Sequence, residues 1–216
     1  MECSSRAGND CFDGWEHCIW QAQTCLKLGQ NILTAVSSNN LEKSDESDIS
    51  TYGKNFLTIE FKWPSEHKIE GKEYDFQISL IFTNSRHRDN MDLGKSVIAV
   101  VFAEIGDANT EVQKYVNHLP NIKAYKTPFD VYLFNATLTL SMLFPSNKSF
   151  FHYKGSGTIP PCLEPVDVRV YKHPITVSQA QIEKFKELKY ANGNLMLTSR
   201  RELQDLRGRD VKYVEF

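Results

Sequence analysis

The sequence predicts a mainly β chain with a smaller α component, and three stretches carry that prediction. From Phe56 to Trp63 the residues alternate, with Leu57, Ile59, Phe61 and Trp63 on one side and Phe56, Thr58, Glu60 and Lys62 on the other. Tyr74 to Phe82 repeats the period after a turn supplied by SEHKIEGKE, and Val97 to Ile105 is nearly all apolar, as in a strand covered on both faces. Further strands are expected over Val131–Leu143 and Val166–Tyr171. Val112, Tyr115, Val116 and Leu119 fall at helical spacing and predict a short helix ended by Pro120. A second helix starts at Ser178, which forms a capping box with Gln181 and is followed by a buried stripe of Ile182, Phe185 and Leu188. Phe150 to Cys162 (FFHYKGSGTIPPC) reads as one stiff loop, because Gly155 and Gly157 free the backbone while Pro160 and Pro161 fix it. The end, SRRELQDLRGRDVKYV, is polar and irregular.

At 216 residues, with 41% hydrophobic and 12% aromatic content, the chain can build one sizeable core. Its net charge of -2 gives no electrostatic case for nucleic acid or an anionic membrane as partner. No apolar run approaches the length of a membrane span, and the first residues lack the look of a signal or transit peptide, so a soluble, uncleaved chain is expected. Residues 1–28 read as an arm that holds Cys3, Cys11, Cys18 and Cys25 with Trp15 and Trp20, and 29–216 as a single domain without internal repeats. Cys11, Cys18 and Cys25 recur at seven-residue steps, and no CxxC pair occurs. Composition leaves both free thiols and disulfides open. The acidic run from Ser37 to Ser50 is a solvated loop, and Asn135 and Asn147 match the glycosylation acceptor pattern, which matters only in a secretory protein.

YKGSGTIPPC, the following HPITVSQAQIEKFKEL and the final RELQDLRGRDV resemble the C-terminal third of the alpha-carbonic anhydrases. The similarity runs upstream. Phe61, Trp63 and Ser65-Glu66-His67 track that family's F-H-F-H-W strand and S-E-H turn, Tyr74–Phe82 and Val97–Asn109 track its next two strands, and Gly29-Gln30-Asn31-Ile32 resembles its Q-S-P-I motif. Coverage extends from about Trp15 to the end. The resemblance implies a large, twisted, mostly antiparallel sheet with peripheral helices.

In that family three imidazoles hold a zinc ion that activates water for attack on carbon dioxide. The resemblance places Glu60, Lys62 and Ser79 at the three ligand positions, with Thr58 and Gln77 where residues that orient the ligands stand. Glu60 and Lys62 share a strand face and are expected to form a partly buried ion pair. Thr158 and Glu66 match the hydroxyl and carboxylate that orient the metal-bound water, and Tyr153 and His67 match their hydrogen-bonded neighbours. Gly157 and Ile159 alter the pocket, and the segment that carries the proton-shuttling histidine is missing. His17, His87, His118, His152 and His173 form no ligand pair. The expectation is therefore a protein without metal, cofactor or catalysis, kept as a structural subunit beside other protein subunits in a larger assembly. The alternatives are zinc-dependent carbon dioxide hydration or an esterase using a relocated site, or a stand-alone small-ligand binding module.

Cysteine pairing also follows from the resemblance. Cys25 lies five residues before Gln30, as in extracellular members, which implies a Cys25–Cys162 disulfide; Cys11–Cys18 is a second candidate. An oxidising compartment is then expected, the mitochondrial intermembrane space or a secretory lumen.

Overall fold

A computed structural model describes residues 55–83, 96–122, 139–158, 162, 164–190 and 193–216. The alternating stretches become three antiparallel neighbours: β1 (Asn55–Lys62), β2 (Phe76–Thr83) and β3 (Val97–Ile105). Between β1 and β2 the backbone of Ile69 and Lys72 exchanges bonds of 3.2 and 2.9 Å around Glu70 (φ 51°) and Gly71 (φ 79°). Positive φ at both central residues matches the right-handed twist of a hairpin, and glycine takes it without strain.

The chain then leaves the sheet for two short helices, α1 (Thr110–Val116) and α2 (Leu119–Ile122). It returns through β4 (Phe150–Gly155), β5 (Val166–Tyr171) and β6 (Ile175–Val177) before α3 (Gln179–Lys186) and β7 (Lys212–Val214). The sheet runs β1-β2-β3-β5-β4-β7, with β6 beside the far end of β3. β3 pairs parallel with β5 and β6, and the other pairings are antiparallel. The expected mainly antiparallel sheet with peripheral helices is what forms.

Pleating sends each strand's alternate residues to opposite faces. Ile59, Phe61, Phe76, Ile78, Val101 and Ala103 enter a core shared with Val112 and Tyr115 of α1 and with Ile182 and Phe185 of α3. Ile98, Val100, Phe102, Val166, Val168 and Val170 form a second cluster on the opposite face. The capping box at Ser178 is present, and its Gln181 does more than cap. The Gln181 amide accepts from Asn109 N at 3.0 Å and donates to Asn109 O at 2.7 Å, tying α3 to the start of α1. Asn109 in turn caps α1 by accepting from the N–H groups of Glu111 and Val112.

Four expectations change. Phe150–Gly155 is a strand and not the start of a loop: aromatics on both faces mask its period, and Gly-Pro punctuation begins only at Gly155. Leu140–Leu143 is a 3-10 turn closed by Met142 N to Thr139 O and Phe144 N to Ser141 O, with Leu143 alone buried. Pro120 lies inside α2, where a proline near a helix start costs no internal bond. The polar tail contributes β7, paired to β4. The 1–28 arm, the Ser37–Ser50 loop, Asn135 and residues 131–138 lie outside the described residues. Among the described residues no helix is long and apolar enough to cross a membrane.

Phe185 meets the rings of Phe61, Trp63 and Phe76 at centroid distances of 4.9, 5.6 and 5.0 Å and is fully buried. Phe185→Ala should cost about 3–5 kcal/mol, read as a fall in the urea midpoint at unchanged slope.

Candidate functional site

Glu60 and Lys62 leave β1 on the face away from the helices, because their neighbours Ile59 and Phe61 are held in the helix-side core. Register sets what lies beside them: Glu60 faces Ser79 and Lys62 faces Gln77 on β2, and these face Val100 and Phe102 on β3. The sheet face is thus polar over β1 and β2 and apolar over β3 and β5. Above it opens a cleft of about 620 Å³ with Glu60, Glu66, His67, Ser79 and Thr158 on one side and Ile98, Val100, Val168 and Val170 on the other.

Two polar networks occupy the cleft floor. In the first, the Lys62 ammonium lies 3.3 Å from Glu60 Oε2 and 3.4 Å from Glu66 Oε1, with all three side chains no more than 8% exposed. Thr158 Oγ1 donates to Glu60 Oε2 at 3.0 Å, and Glu66 Oε1 accepts from Arg201 N at 2.9 Å. Glu66 Oε2 is buried with no hydrogen-bond partner among the described residues. The ion pair expected from the sequence is therefore one side of a buried triad. Glu66, only four residues beyond Lys62, joins it because the chain turns back after Trp63.

The second network runs from β4 to β2. Burial pushes the Tyr153 phenol up to about 12, so it stays protonated and donates to His67 Nε2 at 2.7 Å. His67 Nδ1–H then points to Gln77 Oε1 at 3.3 Å, and this partner set fixes the tautomer. The same oxygen accepts from the backbone N–H of Glu66 at 2.9 Å and of His67 at 3.2 Å, while Gln77 Nε2 donates to Ser79 Oγ at 2.9 Å. Gln77 is the residue that sequence reasoning undervalued. It orients no metal ligand and instead pins the Glu66-His67 turn to the sheet. Its signal was its place beside Ser79 and opposite Lys62, on a face where the neighbouring positions of β3 are Val100 and Phe102.

Glu66, His67, Tyr153 and Thr158 do converge on the cleft, but not in the expected pairing. Thr158 bonds Glu60 and not Glu66, whose Oε1 accepts from Arg201 N and is approached by Lys62. Arg201 straps the C-terminal segment over the floor through Ser156 Oγ at 3.1 Å and Gly157 O at 3.4 Å. A Cβ on Gly155 would stand 2.7 Å from the Tyr153 ring and 3.0 Å from Val168, so the tyrosine's seat requires glycine there. Of the expected disulfides, Cys162 is described, at φ 53°, while Cys3, Cys11, Cys18 and Cys25 lie outside the described residues. Ile159 and the Thr58 side chain also lie outside them.

Zinc at positions 60, 62 and 79 does not fit. The set offers one carboxylate, one ammonium that repels a dication and one neutral hydroxyl, where zinc takes histidine, cysteine or carboxylate donors in tetrahedral array. Among the described residues, no three histidine, cysteine or acidic side chains are grouped to hold a metal ion.

The triad makes a coupling prediction. Lys62→Met leaves two buried carboxylates uncompensated and should cost about 3–5 kcal/mol in denaturant melts, whereas Glu60→Gln, Lys62→Met and Glu66→Gln together should cost much less. Equal losses would mean no coupling. His67 makes a second. Burial depresses its pKa, only partly opposed by the Glu66 carboxylate and the Gln77 hydrogen bond. The unfolded chain then binds the extra proton first, so stability should fall as pH drops below about 6.5, levelling off once the folded imidazole also protonates. His67→Phe should flatten that limb of a stability-against-pH curve.

Residues 26–215 match the family model of eukaryotic-type carbonic anhydrases. Over 160 residues the chain is 32% identical to the mitochondrial carbonic anhydrase 5A of Rattus norvegicus, covering 70% of this chain and 51% of that one. It is 32% identical over 190 residues to a carbonic anhydrase of Klebsiella pneumoniae, covering 87% and 68%, and 28% identical over 180 residues to alpha carbonic anhydrase 4 of Arabidopsis thaliana, covering 80% and 60%. The alpha-carbonic anhydrase of Thermovibrio ammonificans, solved with the inhibitor sulfanilamide, superposes with a TM-score of 0.57 at 29% identity, over 74% of this chain and 63% of that one. The chain spans about half the length of the rat relative. These matches overturn the expectation of a non-enzymatic structural subunit, since an animal, a bacterial and a plant relative all carry the name of an enzyme and the match takes in the whole cleft. Three altered ligand positions speak to how a metal is held and carry less weight than a likeness extending across the domain. The chain belongs to the alpha-carbonic anhydrase family.

Proposed function

We propose that this chain hydrates carbon dioxide to bicarbonate, the reaction in the names of its relatives, and that it does so from the cleft over β1, β2, β3 and β5 without zinc at positions 60, 62 and 79. The observation that carries the reading is the division of the cleft into an apolar wall and a polar floor. Carbon dioxide has no net dipole and settles against Ile98, Val100, Val168 and Val170, while the water that must attack it needs a proton acceptor at the floor.

The Glu60–Thr158 bond supplies that acceptor. Thr158 gives its hydroxyl proton to Glu60, so its oxygen is left to accept from a water. As the water oxygen bonds to the carbon of carbon dioxide, its proton passes to Thr158 and the threonine proton to Glu60. Bicarbonate leaves, and Glu60 returns its proton to solvent through the open cleft. Positioned acid–base groups of this kind contribute on the order of 10²–10⁴-fold, so a slow hydratase is expected.

Stopped-flow hydration of carbon dioxide with a pH indicator tests this. The full chain should exceed the buffer blank, keep its rate in EDTA, and lose roughly 10²-fold or more on Thr158→Val or Glu60→Gln. A rate equal to the blank, or one that appears only with added zinc, would sink the proposal.

A further inference from the structure

The disagreement between the family's zinc and this floor has a positive content. We propose that the Lys62 ammonium is the resident cation of the cleft, tethered to β1 where the floor's carboxylates converge, and that it shuts out a divalent metal ion whose ligands would otherwise be those same oxygens. The inference rests on the cleft assigned above, though not on the reaction proposed for it.

Three observations support it. Lys62 Nζ lies between Glu60 Oε2 and Glu66 Oε1 at 3.3 and 3.4 Å, the arrangement of one cation shared by two anions. The hydroxyls of Ser79 and Thr158 also line this part of the cleft, Thr158 bonded to Glu60, so the site offers carboxylate and hydroxyl oxygens, the ligand type of hard cations such as calcium and manganese(II). Glu66 Oε2 is buried and makes no hydrogen bond among the described residues, leaving one oxygen of that carboxylate uncommitted. Two carboxylates buried side by side demand a positive charge. Here the sequence provides it covalently, and a lysine cannot dissociate into a chelator as a metal ion can. Removing the side chain should leave Glu60 and Glu66 as an acidic oxygen site that takes up a hard divalent cation in the lysine's place.

The test compares the full wild-type chain with Lys62→Ala by calorimetric titration with manganese(II) and calcium chloride, and follows the melting temperature with each ion and with EDTA. Wild type should show no stoichiometric manganese that Glu60→Gln removes, and its melting temperature should ignore EDTA. Lys62→Ala should bind one manganese ion at least tenfold more tightly than wild type, and its melting temperature should rise with manganese concentration. Should Lys62→Ala fold only when manganese or calcium is present, that rescue supports the assignment equally. One manganese bound by wild type and lost in Glu60→Gln would overturn it, as would a folded Lys62→Ala with wild-type affinity. Should Lys62→Ala fail to fold under every condition, the wild-type titration still decides. No readout depends on turnover, so an inactive chain behaving as described would remove the proposed hydration and leave this inference standing.

Discussion

The pleat of the three central strands is the constraint from which the rest of the structure follows. β3 is sandwiched, with Ala99, Val101 and Ala103 on the helix side and Ile98, Val100 and Phe102 on the cleft side, all of them buried. Because β2 is registered to it residue by residue and β1 to β2 from Thr58 to Lys62, burying Phe61, Phe76 and Ile78 beneath α1 and α3 fixes where Glu60, Lys62, Gln77 and Ser79 must emerge. A slip of one residue would drive two charges into the aromatic core around Phe185 and expose that core's rings, so the register is held by the hydrophobic term as much as by the ladder. Helix packing on one face thereby positions chemistry on the other.

That logic also explains which parts could be read directly from residues. β1, β2, β3 and α3 announce themselves because one face of each is uniformly apolar and the period is undisturbed, and Ser178 with Gln181 marks the start of α3 in a local pattern. β4 hides because Phe150 and Phe151 put an aromatic on each face, one stacking toward Phe216 and the other toward Tyr213. β7 hides because three residues at the sheet edge, next to Phe150, Phe151 and His152, are too few for an alternating period to show. At the site, the Glu60–Lys62 pair follows from i, i+2 spacing on a strand. Glu66 as third member, and Thr158 bonding to Glu60 across 98 positions of sequence, depend on how the chain turns after Trp63 and on where the loop after β4 comes down, which no local pattern encodes.

The floor's two networks differ in what they can tolerate. Tyr153, His67, Gln77 and Ser79 form a chain of neutral groups in which each proton has one direction, and its cost of burial is met by hydrogen bonds alone. The Glu60, Lys62 and Glu66 triad instead balances desolvation of three charges against attraction at 3.3 and 3.4 Å, a balance in which the net gain is small and the penalty for removing one member is large. Gln77 joins the two, since it fixes the backbone that presents Glu66 while bonding His67 and Ser79 by its side chain.

A triad of that kind explains how the fold can keep a buried acidic floor. A carboxylate opposite the apolar wall of Val100 and Val170 would gain nothing from its neighbours and would be driven to neutralise or to seek water. Lys62 lends its stem to the packing of β1 and its ammonium to two acids at once, so one side chain supplies both volume and charge. With Lys62 held between both acids, Glu60 keeps an oxygen paired to Thr158 at the cleft boundary. The charges meet within the buried floor, while that hydroxyl lines the open cleft.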